Sequence, residues 1–145
     1  MNFELGVEKY FQRKAEASRK PIEGLETAAE HAEVFSGLSD KASEALLLIT
    51  FIPTEHGTSE FNDMMASWRR GDSDALAKSV RDGFSDFPAM ARRLLDERNA
   101  RWSPKIDSYL ASGKTYMIVA GAAHFGGKNG VVAILRNKGY KVEQL

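Results

Sequence analysis

The closing segment, TYMIVAGAAHFGGKNGVVAILRNKGYKVEQL over residues 115–145, constrains the fold more than any other part of the chain. Its first seven residues combine β-branched, aromatic and aliphatic side chains, the composition of a buried strand. Gly126, Gly127 and Gly130 follow and lead into a helix over about 129–138, which Gly139 closes. The tail YKVEQL alternates apolar and polar residues, as a terminal strand does. Strand, helix and strand joined this tightly predict a right-handed βαβ unit with parallel strands.

Upstream, the pattern is helical. Residues 2–18 form an amphipathic stretch with Phe3, Val7, Tyr10 and Phe11 at helical spacing, and Lys20-Pro21 ends it. Pro21, Ile22 and Leu25 suit a brief strand. Thr27 is placed to cap a helix over 28–36, with Glu30 as its capping-box partner. Further helices are expected from Ser39 or Asp40 to Pro53, over 59–70, from Ser73 or Asp74 to Gly83, and over 86–112, the last kinked or restarted at Pro104. The expected architecture is α/β: mainly helical, packed on a small and mostly parallel sheet.

At 145 residues the chain is long enough for one domain, residues 1–145, with a real core. Twenty basic and twenty acidic residues cancel, which removes the electrostatic case for nucleic-acid binding. Clusters such as Arg69-Arg70 and Arg92-Arg93 read as solvated helix faces. There is no cysteine, so disulfides, thiolate metal sites and cysteine nucleophiles are excluded. No apolar run reaches the ~18 residues that span a bilayer. The N-terminal sequence is not that of a signal peptide. As written, the chain reads as a soluble cytoplasmic protein, the compartment being open if a longer precursor exists.

Function is sought at the carboxyl ends of the expected strands. His124 lies there, after Gly121, Ala122 and Ala123, whose small size lets the backbone turn and leaves room beside the imidazole. Glu26 ends the other expected strand. Together they suit two ligands of a divalent metal, or a general base and its partner. Arg98, in the long helix beside Glu97 and Asn99, suits a bidentate grip on Glu26 or on a substrate carboxylate. His56 reads as a loop residue, His31 as a helix-surface residue, and Trp68 and Trp102 as core. The glycines of GAAHFGGKNG match neither a P-loop nor a dinucleotide fingerprint.

Five segments, taken in order, resemble the TraB/GumN family (TraB/PrgY, Tiki-like). They are LGVEKYFQRKA, KPIEGLETAAEH, WRRGD, LLDERNARW and the closing VAGAAHFGGKNGVVAILRNKGYKVEQL, and their order and spacing extend over nearly the whole chain. The resemblance puts Glu26 at the glutamate of the Gly-Leu-Glu-Thr motif, and Gly121 and His124 at a GxxH motif. Where the family commonly has Gln after that glutamate, this chain has His31. The resemblance implies a fold related to erythromycin-esterase-like and ChaN-like α/β proteins. It also implies a metal-dependent hydrolase using manganese, cobalt or zinc on a peptide or small-molecule substrate, with His124 and Glu26 as metal ligands, Glu26 or His124 in acid–base work, and Arg98 orienting a carboxylate. A first GxxH motif is absent. The chain therefore resembles the C-terminal half of a full-length member, with a site completed by the missing N-terminal half or by a second copy in a homodimer. The alternative is a non-catalytic interaction or regulatory module.

Overall fold

The computed structural model describes residues 6–51 and 57–145, with the side chains of 48–51, 57 and 58 left aside. Eight α-helices are assigned among these residues: α1 (Val7–Ala17), α2 (Ala28–Ser36), α3 (Asp40–Phe51), α4 (Gly57–Arg69), α5 (Ser73–Asp82), α6 (Pro88–Ala91), α7 (Glu97–Ala111) and α8 (Val131–Asn137). A π-helical turn, Arg92–Asp96, joins α6 to α7, and a 3-10 turn, Ala122–His124, precedes α8. His56, Phe3 and the expected helix end at Pro53 lie outside the described residues.

The helix boundaries follow local chemistry. Thr27 and Glu30 form the expected capping box: Thr27 N–H donates to Glu30 Oε2 at 2.7 Å, and Glu30 N–H donates to Thr27 Oγ1 at 3.2 Å. Asp72 caps α5 by accepting from the Ala75 N–H at 2.9 Å. Gly71, at φ +70°, turns the chain between α4 and α5 in the left-handed region where a side chain is strained. Helix α7 runs on through Pro104 rather than restarting there.

The expected parallel sheet is not formed: among the described residues there is no strand, and the architecture is helical rather than α/β. The reason lies in what each apolar segment packs against. Residues 20–25 are bound to α7, where Lys105 Nζ donates to the Gly24 carbonyl at 2.7 Å and Tyr109 Oη donates to Glu23 at 3.1 Å. In the 115–120 run, Ile118 and Ala120 cover the core, whereas Tyr116 and Met117 are exposed, and Tyr116 stacks on Tyr109 with centroids 4.4 Å apart. The tail is drawn to the α4–α5 turn, where Gln144 Nε2 donates to the Gly71 carbonyl at 2.8 Å. Each segment therefore finds a helix or a turn, and none lies alongside another to form a ladder. The helix between them appears as expected, as α8.

Trp102, Ile106 and Val131 form the core where α7 meets α8, and Leu25, Ile118, Ala120, Phe125 and Leu135 pack around them. Arg93, expected on a solvated face, instead turns inward. It donates to the carbonyls of Glu33, Val34 and Gly37 at 2.6, 2.8 and 3.0 Å. Helix α2 has no basic residue in its last turn, and Arg93 supplies the missing cation to its C-terminus. Leu25 fixes the start of the Glu26 loop on the core, and Arg93 clamps the far end of the helix that follows it.

Candidate functional site

Glu26, Arg98 and His124 come from a loop, a helix and a 3-10 turn, and they meet at the first turn of α7. Arg98 grips Glu26 with two nitrogens, Nε to Oε2 at 3.1 Å and Nη2 to Oε1 at 2.7 Å. This is the bidentate geometry that only a guanidinium provides. The remaining nitrogen, Nη1, donates to the Leu94 carbonyl at 3.2 Å and faces His124 Nε2 at 3.3 Å. Both charged side chains are largely shielded, 16% exposed for Arg98 and 13% for Glu26.

Three further residues complete the cluster, and the sequence pattern singled out none of them for the site. Trp102, read as core, is core and also donates its indole N–H to Glu26 Oε2 at 3.1 Å. His31 lies on the exposed surface of α2, as expected, yet its Nδ1 reaches Glu26 Oε1 at 2.8 Å. Asn99 is 1% exposed, and its Oδ1 lies 2.7 Å from His124 Nδ1. The signal for Trp102 was its spacing from Arg98, since positions four apart on a helix lie on the same face, whereas Asn99, the next residue, carried no such signal. For His31 there was no such signal, since it follows Glu26 across a helix cap.

Asn99 decides the state of the imidazole. Its Nδ2 donates to the Asn129 carbonyl at 2.8 Å, which turns Oδ1 toward His124. Nδ1 therefore carries the proton, and the Nε2 lone pair faces Arg98. Burial pushes the His124 pKa down, the Arg98 charge adds to this, and Glu26 offsets only part, leaving it at about 4. At neutral pH the ring is uncharged. Burial alone would raise Glu26, but hydrogen bonds from Arg98, His31 and Trp102, with the Arg98 charge, overcome it and hold the carboxyl at about 2. Trp102 also packs its ring against His124, centroids 4.5 Å apart, and beneath the Arg98 guanidinium at 5.0 Å.

The expected metal ligands are thus both bound to a cation already, and it is Arg98. Each Glu26 oxygen accepts two N–H bonds, and His124 Nε2 faces the same guanidinium. An ion shared by Glu26 and His124 would have to displace Arg98, so the donors as arranged do not fit one. Among the described residues no group of three His, Asp or Glu side chains is placed to hold a metal.

Around His124 the two parts of the motif differ. Gly121 has φ −56°, which any residue adopts, and a Cβ there would make ordinary contact with His124 Cδ2 at 3.6 Å. The space beside the imidazole is therefore narrower than the glycine suggested. Gly126, two residues beyond the histidine, does need to be glycine: a Cβ would fall 1.9 Å from the Ser73 carbonyl oxygen.

With this geometry in view, the comparison with known families decides the assignment: the TraB/PrgY/gumN family profile matches residues 1–144. The chain belongs to the TraB/PrgY/gumN family. No curated protein and no solved structure matches it. The TraB/PrgY/gumN assignment bears out the resemblance drawn from the five segments. No described helix is long and apolar enough to cross a membrane.

Proposed function

We propose that this TraB/PrgY/gumN chain contributes part of a hydrolase site in which His124 Nε2 is the proton acceptor. The observation that carries this reading is the convergence of Glu26, Arg98 and His124 on one guanidinium from segments 72 and 26 positions apart in sequence. In this reading Asn99 holds the imidazole as the Nδ1–H tautomer, the orienting role a base requires. Once Arg98 Nη1 moves off Nε2, His124 takes a proton from water, the resulting hydroxide attacks an amide or ester carbonyl, and the same proton is returned to the leaving group. Arg98, anchored by Glu26, offers its positive charge to the developing oxyanion or to a substrate carboxylate. The substrate is a peptide or a small ester or amide, and a second copy or another chain covers and completes the site.

One observation favours a second reading, a non-catalytic interaction module. His124 is only 6% exposed, and the polar atoms around it already have partners. A resident divalent metal is a third reading, and it requires Arg98 to withdraw.

The experiment is hydrolysis of p-nitrophenyl acetate and of a mixed peptide library by the purified chain, beside His124→Gln, with elemental analysis after exposure to manganese, cobalt and zinc. Turnover that disappears in the variant and needs no metal supports the leading reading. Stoichiometric metal lost in the variant replaces it with the metal-dependent one. The absence of both turnover and metal, at concentrations where the chain self-associates, rules out a site shared by two copies and favours the interaction module.

A further inference from the structure

A concavity lies away from the Glu26–Arg98–His124 cluster, between the α4–α5 turn, the glycine loop and α8. Its volume is about 630 Å³, within the range of small-molecule pockets. Apolar wall comes from Trp68, Leu76, Phe125 and Val132. Trp68 is 50% exposed, so a large indole face meets solvent beside an apolar lining, where a buried core tryptophan would be covered.

Three tethers hold the walls in place. Gly126 is pressed against the Ser73 carbonyl, Gly127 N–H donates to Asp74 Oδ1 at 2.7 Å, and Gln144 Nε2 donates to the Gly71 carbonyl. The lining is formally balanced, with Lys128 and Arg136 against Asp74 and Glu143, but the four are not equally free. Asp74 is engaged by the Gly127 N–H, and Glu143 is paired with Lys141 at 2.6 Å. Among the described residues, Lys128 has no hydrogen-bond partner and its charge acts on Asp96, which is itself paired with Arg81, while Arg136 donates to the Val142 carbonyl. The acids are answered and the cations are open to a ligand.

We infer that this concavity is a binding site for a small organic anion with a planar apolar body, such as an aromatic carboxylate. The ring lies against Trp68 and the aliphatic wall, and the carboxylate is met by Lys128 and Arg136. The site is separate from the hydrolase reading and does not depend on it. It shares the loop that carries His124, because Ala122 and Phe125 line it on either side of that residue.

The test is titration of the full chain with 1-naphthoate, followed by tryptophan emission and by calorimetry, with 1-naphthalenemethanol as the uncharged control. The expected result is saturable binding of naphthoate at least roughly tenfold tighter than of the alcohol. Lys128→Ala with Arg136→Ala should remove that preference, and Trp68→Phe should remove the emission change while Trp102 still reports the fold. Absence of saturable naphthoate binding overturns the inference, as does equal affinity for the alcohol. An emission change that survives in Trp68→Phe also overturns it, by placing the ligand elsewhere. Ala133→Trp, which fills the cavity from α8, should abolish binding with the helical circular dichroism retained; unchanged binding in that variant again overturns it.

Discussion

Arg98 Nη2 lies 2.7 Å from Glu26 Oε1 while Arg98 Nε lies 3.1 Å from Glu26 Oε2, so the two side chains meet as a two-pronged pair across a sequence gap of 72 residues. The pair ties the loop before α2 to the first turn of α7. Because both partners are shielded, its strength depends on geometry as much as on charge. The same guanidinium reaches the Leu94 carbonyl and His124, so three separate pieces of chain depend on one side chain.

Arg98→Lys keeps the charge and loses the fork. A single ammonium cannot hold both carboxylate oxygens and reach His124 as well. The expected loss is about 2 kcal/mol in urea unfolding, with Glu26→Gln costing a similar amount and the double variant much less than the sum. Additive losses would mean the two residues act independently.

Acid should destabilise the chain in two stages. His124 has its pKa held at about 4, against 6.5 for an unburied imidazole, so between these values the unfolded state binds the extra proton. Its contribution is complete above pH 6.5 and fades as pH falls toward 4, by about 3 kcal/mol in all. Glu26, held at about 2 against 4.5, contributes fully above 4.5 and loses that contribution below it. His124→Gln should flatten the stability profile between pH 6.5 and 4 relative to the parent chain. Parallel profiles would refute the depressed histidine.

Asn99→Asp should raise the His124 pKa by placing a carboxylate where the amide oxygen accepts the Nδ1 proton. Nitrogen-detected NMR of the imidazole would show the parent ring as the Nδ1–H tautomer at neutral pH and the variant titrating one to two units higher, to order of magnitude. A parent ring protonated on Nε2 would reverse the assignment of proton and lone pair.

The sequence disclosed the helices and singled out three residues, Glu26, Arg98 and His124, that the fold brings together, and it misled on the sheet. Caps and turn residues act locally, so Thr27, Glu30 and Gly71 carried their message in a few positions. A strand is a relation between two segments, and the composition of TYMIVAG said nothing of which neighbour would lie beside it. Here Tyr116 stacks on Tyr109 and the tail is bound at Gly71, so the alternating residues serve helices instead. The site was partly legible because Glu26, Arg98 and His124 have chemistry that stands out. Asn99 and Trp102 were hidden by their ordinary roles in helix α7, and Asn99 is recognisable only once Asn129 fixes the direction of its amide.

The two glycines that frame the histidine should separate cleanly on substitution. At Gly121 the backbone is already in a region open to alanine, and the added methyl meets one imidazole carbon at contact distance. Gly121→Ala should therefore cost less than about 1 kcal/mol, since removal of glycine also lowers the entropy of the unfolded chain. At Gly126 the methyl would collide with the Ser73 carbonyl at 1.9 Å and the Asp74 nitrogen at 2.7 Å, both main-chain atoms at the start of α5 that cannot swing aside. Gly126→Ala has to push the glycine loop off α5, breaking the Gly127 to Asp74 bond, and should cost more than about 3 kcal/mol or prevent folding. Thermal unfolding of the two variants side by side checks the contrast. A tolerated Gly126→Ala would show that the loop does not rest on α5 as described.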